Sequence, residues 1–227
     1  MNWQKEKFYE FIIENNVFGF FKEPLKLKSG RLSYWYVNWR NVAEDVYLID
    51  KLSDFLISFV KKMDLNPDCF YGVPEGATKL SIITQYKWAK NHSNYNQGVY
   101  PLSMGRGKPK NHGDQKDRYF LGLPKGKVIV LEDTITTGGA FIEAIEKFLE
   151  LGINIIAAIV LTNRNELRDD GRTVEKTISD KGVKFYAMSD AIELLPTIYN
   201  KLQPGEIIAK NIEKYFKQYG IKEIKLL

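Results

Sequence analysis

The sequence predicts an α/β protein: a doubly wound, mostly parallel sheet with flanking helices, carrying a small N-terminal hood. Three observations lead there. From Cys69 onward, short apolar runs, loops and amphipathic stretches alternate in the order of strand, loop and helix. Ile153–Leu161 is a continuous, β-branched apolar run, as expected of a central parallel strand covered on both faces. The chain has 227 residues, enough for one such domain with a full core and a small appended element.

Taken in order, residues 3–15 place Phe8, Phe11, Ile12 and Ile13 at helical spacing. Leu25–Lys28 alternates, Ser29-Gly30 makes a turn, and Ser33–Asn38 reads as an aromatic-rich strand. Residues 44–63 read as a helix that ends before Asn66-Pro67. Cys69–Val73 is then a strand, Pro74-Glu75-Gly76-Ala77 a loop and Thr78–Lys90 a helix. Val99–Met104 reads as a second strand, Lys127–Leu131 as a third, and Ala140–Leu151 as the helix beyond it. After the run at Ile153–Leu161, Val183–Met188 and Asp190–Leu202 add a strand and a helix. The expected layout is a hood over residues 1–65, a core over 66–205 and a helical, basic C-terminal extension over 206–227, all one domain.

Bulk composition narrows the class. With 44% hydrophobic and 27% charged residues, the chain has the balance of a globular protein rather than a disordered one. No apolar run approaches the roughly 18 to 20 residues that would span a bilayer, so no membrane partner is expected. The N-terminus lacks the basic-then-apolar layout of a signal peptide, and the single cysteine, Cys69, rules out an internal disulfide. A cytoplasmic location fits both. The net charge of +5 is split between Gly105–Gly113 and a C-terminal Lys/Glu mixture, so it forms no continuous nucleic-acid stripe. No nucleic-acid partner is expected.

The most specific segment is Val128-Ile129-Val130-Leu131-Glu132-Asp133-Thr134-Ile135-Thr136-Thr137-Gly138-Gly139-Ala140. Four apolar residues lead into two carboxylates, then a Thr/Gly loop, then a helix. Loop N–H groups and hydroxyls at a helix N-terminus can surround a phosphate dianion, and glycine lets the main chain approach it. The carboxylates would be repelled by that phosphate, so Glu132 and Asp133 should face ribose hydroxyls or a metal with its waters. Neither G-x-x-x-x-G-K-[ST] nor G-x-G-x-x-G is present.

This segment resembles the signature of type I phosphoribosyltransferases, which hold phosphoribosyl pyrophosphate in this way. The resemblance implies that Glu132 and Asp133 engage the ribose hydroxyls and Thr134 to Ala140 the 5′-phosphate. Gly72-Val73-Pro74-Glu75-Gly76-Ala77 matches the family's pyrophosphate loop in position. Met104-Gly105-Arg106-Gly107-Lys108-Pro109-Lys110-Asn111-His112-Gly113 is similar to the mobile catalytic loop of the orotate branch, close to R-K-x-x-K-x-H-G. Arg106, Lys110, His112 and Gly113 fall on its positions, whereas Gly107 stands where a lysine is expected and Lys108 is one residue away. Leu27-Lys28-Ser29-Gly30-Arg31-Leu32-Ser33-Tyr34-Trp35-Tyr36-Val37-Asn38 resembles the stretch that lines the orotate pocket, with Tyr34 in place of proline. Leu161-Thr162-Asn163-Arg164-Asn165-Glu166 follows L-D-R-x-E, with Asn163 in place of aspartate.

From the resemblance come the expected roles. Catalysis falls to Arg106, Lys110, His112 and Asp133. Substrate binding falls to Lys28, Tyr36, Val37, Glu75, Gly76, Lys108, Glu132, Asp133, Thr134, Ile135, Thr136, Thr137, Gly138, Gly139, Ala140 and Arg164. In this reading Lys28 reaches the base or pyrophosphate, Tyr36 and Val37 pack on the pyrimidine, and Arg164 grips orotate's carboxylate. Trp35 reads instead as a core aromatic. The implied cofactor is Mg²⁺, held mainly through the substrate's pyrophosphate and ribose, with Asp133 reaching it through a water and no protein group assigned as a direct ligand. The implied partners are phosphoribosyl pyrophosphate, orotate and a second copy of the chain, in a homodimer with shared active sites. Two other readings stay open: a phosphoribosyltransferase for another base, at which Gly107 and Asn163 hint, and a non-catalytic sensor of phosphoribosyl pyrophosphate.

Overall fold

The computed structural model describes residues 2–108, 110–112 and 118–227. Helix α1 (Lys5–Glu14) buries Phe8, Phe11 and Ile12 along one face. Strands β1 (Phe18–Lys26) and β2 (Leu32–Val37) then form an antiparallel hairpin, with Phe18 opposite Val37 and Lys26 opposite Leu32. A short helix α2 (Arg40–Ala43) leads into α3 (Val46–Lys62), whose first turn is capped by Asp45 accepting the Leu48 N–H.

The core sheet has four parallel strands in the order β3 (Cys69–Gly72), β6 (Val128–Ile135), β7 (Ile155–Asn163) and β8 (Phe185–Asp190). Helix α4 (Thr78–Lys90) follows β3, α5 (Gly139–Glu150) follows β6, and α6 (Val174–Ser179) lies between β7 and β8. Two more helices, α7 (Ala191–Leu202) and α8 (Glu206–Tyr219), complete the chain. Strand alternation splits the apolar side chains between two layers. Ile129, Leu131, Ile159 and Leu161 face the hood, α3, α4, α7 and α8, while Val128, Val130, Ala158 and Val160 face α5 and α6. Helices on both faces are what the continuous apolar run in β7 predicts.

The second strand expected at Val99–Met104 does not form as such. Only β4 (Met104–Gly105) is regular; it lies beside β3 and pairs antiparallel with β5 (Phe120–Leu121). The preceding stretch cannot hold a ladder. Gly98 has a φ of 78°, and Pro101 has no N–H, its carbonyl instead accepting from Gln85 Nε2 at 2.7 Å.

The hood shares its apolar layer with the sheet. Trp35 is fully buried, stacked between Phe18 at 5.7 Å and Phe216 of α8 at 6.0 Å. The C-terminal stretch belongs to the same layer, since Ile208, Ile212, Phe216, Ile224 and Leu226 all pack into it.

Candidate active site

The carboxyl edge of the sheet gathers the sequence-marked loops. β6 runs further than its apolar residues alone suggest. The sequence ends the strand at Leu131, but Thr134 and Ile135 still pair with Thr162 and Asn163 of β7. The physical reason is that both residues are β-branched and β7 offers paired backbone up to Asn163. The Thr/Gly loop expected to hold the phosphate is thereby shortened to Thr136, Thr137 and Gly138, ahead of α5. Gly138 occupies the N-cap with φ 68°, and a Cβ there would sit 2.8 Å from Val174 Cγ1. Among the described residues no side-chain cap closes α5, the arrangement in which first-turn N–H groups can meet an anion. Thr134 Oγ1 is buried without a hydrogen-bond partner among the described residues.

The two acids form one unit. The Asp133 N–H donates to Glu132 Oε1 at 3.1 Å, and the Thr134 N–H to Asp133 Oδ1 at 2.7 Å. Burial holds the Glu132 carboxyl well above the usual carboxylate range, with the charge and hydrogen bond of Asp133 adding to the effect. The positive charge of Lys28, on the hood, acts in the opposite sense. The second loop rests directly on the acids, since a Cβ at Gly76 would lie 2.5 Å from the Asp133 Cγ. Only glycine permits that approach. The Pro74–Glu75 peptide is cis and Glu75 is exposed.

The basic segment reaches the same place. Beyond β4, the Arg106 N–H donates to Tyr119 O at 2.9 Å and the Lys110 N–H to Arg118 O at 3.0 Å, which continues the two-stranded arm. Lys108, Lys110 and His112 are exposed on it. A Cβ at Gly107 would lie 3.0 Å from Glu75 Oε1, so the arm touches the second loop at the position where lysine was expected. Gly105 is also pressed onto the Tyr71 hydroxyl, whose pKa burial and the Glu132 charge push up to about 12. Gly113 and Pro109 lie outside the described residues.

On the hood side, the residues expected at the base pocket lie on the two faces of β2 and at the end of β7. β2 alternates, so Tyr36 is half-buried on one face while Val37, with Trp35 and Ser33, is buried on the other. Their side chains therefore cannot both lie on one ring. Arg164 is 1% exposed. Its Nε donates to Glu166 Oε1 at 2.7 Å and its Nη2 to Ser33 Oγ at 3.0 Å, and the guanidinium lies 3.6 Å from the Trp35 ring centre. Glu166 in turn accepts from Arg31 Nη1 and from the Tyr215 hydroxyl, both at 2.9 Å. The guanidinium expected to meet a substrate carboxylate thus already has a carboxylate within the chain. Asn163 Oδ1 accepts the Asn165 N–H at 2.9 Å, a turn role that aspartate would fill equally well.

Sequence reasoning brought together the acids, both loops and the basic arm. It missed Arg31 and Arg168 and gave Glu166 no role. Arg31 and Arg168 carry no signal beyond being arginines near motifs. Glu166 had one, two residues beyond Arg164 in the matched pattern.

No protein-family model matches the chain. It is 30% identical over 193 residues to the orotate phosphoribosyltransferase of Rhodopseudomonas palustris strain BisB5, a match that spans 81% of this chain and 92% of that protein. It is 29% identical over 177 residues to the Aquifex aeolicus enzyme of the same name, spanning 76% of this chain and 88% of that protein. Its fold matches the crystal structure of orotate phosphoribosyltransferase from Francisella tularensis with a TM-score of 0.67 at 23% identity, covering 94% of this chain and 99% of that one. With its acids, Thr/Gly loop and hood arranged at one sheet edge, the chain belongs to the orotate phosphoribosyltransferase family.

Proposed function

We propose that the chain transfers the 5-phosphoribosyl group of phosphoribosyl pyrophosphate to orotate, giving orotidine 5′-phosphate and pyrophosphate. The carrying observation is the contact of the Gly76 loop with Asp133, directly ahead of the uncapped helix α5. That contact supports one ligand bridging the two loops, with a phosphate at each end and a diol between them.

In this reading the α5 N-terminus and Thr136–Gly139 hold the 5′-phosphate, while Asp133 and Glu132 accept from the ribose hydroxyls. The loop around Glu75 and Gly76 flanks the pyrophosphate, and Tyr36 of the hood packs on the pyrimidine. Orotate N1 bonds to C1 of the ribose as the C1–O bond to pyrophosphate breaks; the N1 proton is released and pyrophosphate leaves. Arg106, Lys108, Lys110 and His112 offset charge as it grows on the departing group, and the arm excludes water from the electron-poor C1. Arg164, oriented by Glu166 and Ser33 beside the Trp35 ring, is the group proposed to meet orotate's carboxylate.

Mg²⁺ bound to the substrate would neutralise charge on the pyrophosphate. Among the described residues no group of three or more His, Cys, Asp or Glu could hold a metal alone. The donors present fit an ion shared between substrate oxygens and one carboxylate, Asp133, acting through a water. A homodimer, with the arm serving the neighbouring site, belongs to the same proposal.

The test is loss of orotate absorbance with phosphoribosyl pyrophosphate and Mg²⁺, with uracil, adenine, guanine and hypoxanthine as rival bases. Turnover of orotate alone, abolished by EDTA and restored by Mg²⁺, is the expected result. Turnover of a rival base instead would move the assignment to that base. Binding of phosphoribosyl pyrophosphate without turnover of any base would replace the enzyme with a sensor.

A further inference from the structure

We infer that Arg168 is a positioning residue that locks the phosphate-loop peptide between Thr137 and Gly138 in the orientation needed to bind a phosphate. The inference rests on the proposed reading of that loop. Arg168 Nη1 donates to the Thr137 carbonyl at 2.7 Å, from a segment that leaves the end of β7 and passes behind the loop.

The loop itself cannot hold that peptide. Gly138 lies in the left-handed region at φ 68°, and glycine populates both signs of φ at similar cost. A flip of the peptide would turn the Thr137 oxygen toward the incoming phosphate and its N–H away. With the carbonyl held by Arg168, the trans peptide directs the Gly138 N–H to the opposite side, toward the α5 N-terminus. A cation on the carbonyl also polarises the peptide and strengthens that N–H as a donor.

The segment carrying Arg168 is itself anchored. The Arg168 N–H donates to Arg172 O at 2.9 Å, and the Leu167 N–H to Tyr219 O at 2.7 Å. Arg31 of the hood donates to Leu167 O at 2.8 Å and to Asp169 Oδ1 at 2.9 Å. The Arg164 N–H holds Ile135 O at 3.0 Å, and Val174 covers Gly138. Residues 164–174 therefore form a strap joining the base hood to the phosphate loop, and Arg168 is its contact with the flippable peptide. Besides the Thr137 carbonyl, the guanidinium has an ion pair with Asp170, whose Oδ2 lies 3.5 Å from Nε; that buried Nε has no hydrogen-bond partner among the described residues.

The experiment is calorimetric titration of ribose 5-phosphate and, separately, inorganic pyrophosphate into the wild type, Arg168→Met and Arg168→Lys, with thermal midpoints recorded for each. Arg168→Met is expected to weaken ribose 5-phosphate binding by about tenfold or more, the scale of one charge-assisted hydrogen bond. Pyrophosphate affinity and the midpoint should stay close to wild type, and Arg168→Lys should recover part of the loss. Wild-type ribose 5-phosphate affinity in Arg168→Met would overturn the inference, as would a parallel loss of both affinities and the midpoint. A wild type that binds pyrophosphate but not ribose 5-phosphate would overturn the phosphate-loop reading, and the inference with it.

Discussion

Glu132 shows how a single side chain couples the site to stability. Burial and the neighbouring Asp133 favour its protonated form in the folded chain, so its folded pKa lies above the unfolded value near 4.5. The folded state then binds more protons than the unfolded state. Stability from this group is fully present below pH 4.5 and is lost as pH rises through the folded value. Glu132→Gln should therefore raise the thermal midpoint at neutral pH and flatten its decline above pH 4.5, while lowering turnover; a pH series of melting curves checks this. Glu166 is a buried side chain paired with both Arg31 and Arg164. Removing it takes the carboxylate from the buried Arg164 and leaves Arg31 only the exposed Asp169. Glu166→Ala should cost about 3–5 kcal/mol in urea unfolding, and the loss should shrink when Arg31 is also replaced.

At the scale of elements, two glycines set how closely loops approach. Gly76 lies against the Asp133 carboxylate, so Gly76→Ala must push either the loop or the acid away. A displacement of that kind should lower kcat/KM by on the order of a hundredfold with little change in melting temperature, as steady-state kinetics beside calorimetry would show. Gly138 differs, because its φ of 68° and the contact with Val174 both exclude a side chain. Gly138→Ala should cost at least about 1–2 kcal/mol of stability as well as activity, measured by denaturant midpoint. The acid pair, the threonines and the glycines were legible in sequence because each marks a local need. The end of β6 was not, because whether Thr134 and Ile135 extend a strand or begin a loop depends on a partner strand, β7, far along the chain.

For the molecule as a whole, one apolar layer joins hood, sheet and C-terminal helix. Phe216 of α8 is 1% exposed against Trp35 of β2, so losing it opens a cavity shared by the chain's two ends. Phe216→Ala should cost about 3–5 kcal/mol. The unfolding transition should stay single, with tryptophan fluorescence and far-ultraviolet dichroism coinciding. Cys69 reports on the other layer. It is fully buried, and burial pushes its thiol up to about 12. A thiol reagent should leave it unlabelled in the native protein and label it fully in denaturant.

The sequence by itself determined the α/β class, the strand–helix alternation after Cys69, and the Thr/Gly loop with its paired acids. These are written in local period and local turn chemistry, which neighbouring residues impose on one another. The tertiary structure alone decided which groups meet. It placed Gly107 against Glu75, laid Gly76 on Asp133, buried Arg164 against Glu166 and Trp35, and aimed Arg168 at the Thr137 carbonyl. A charged side chain's role is set by the partner it reaches across the fold. That partner is fixed by packing between segments more than a hundred residues apart, as between Arg31 and Glu166, and no local pattern records it.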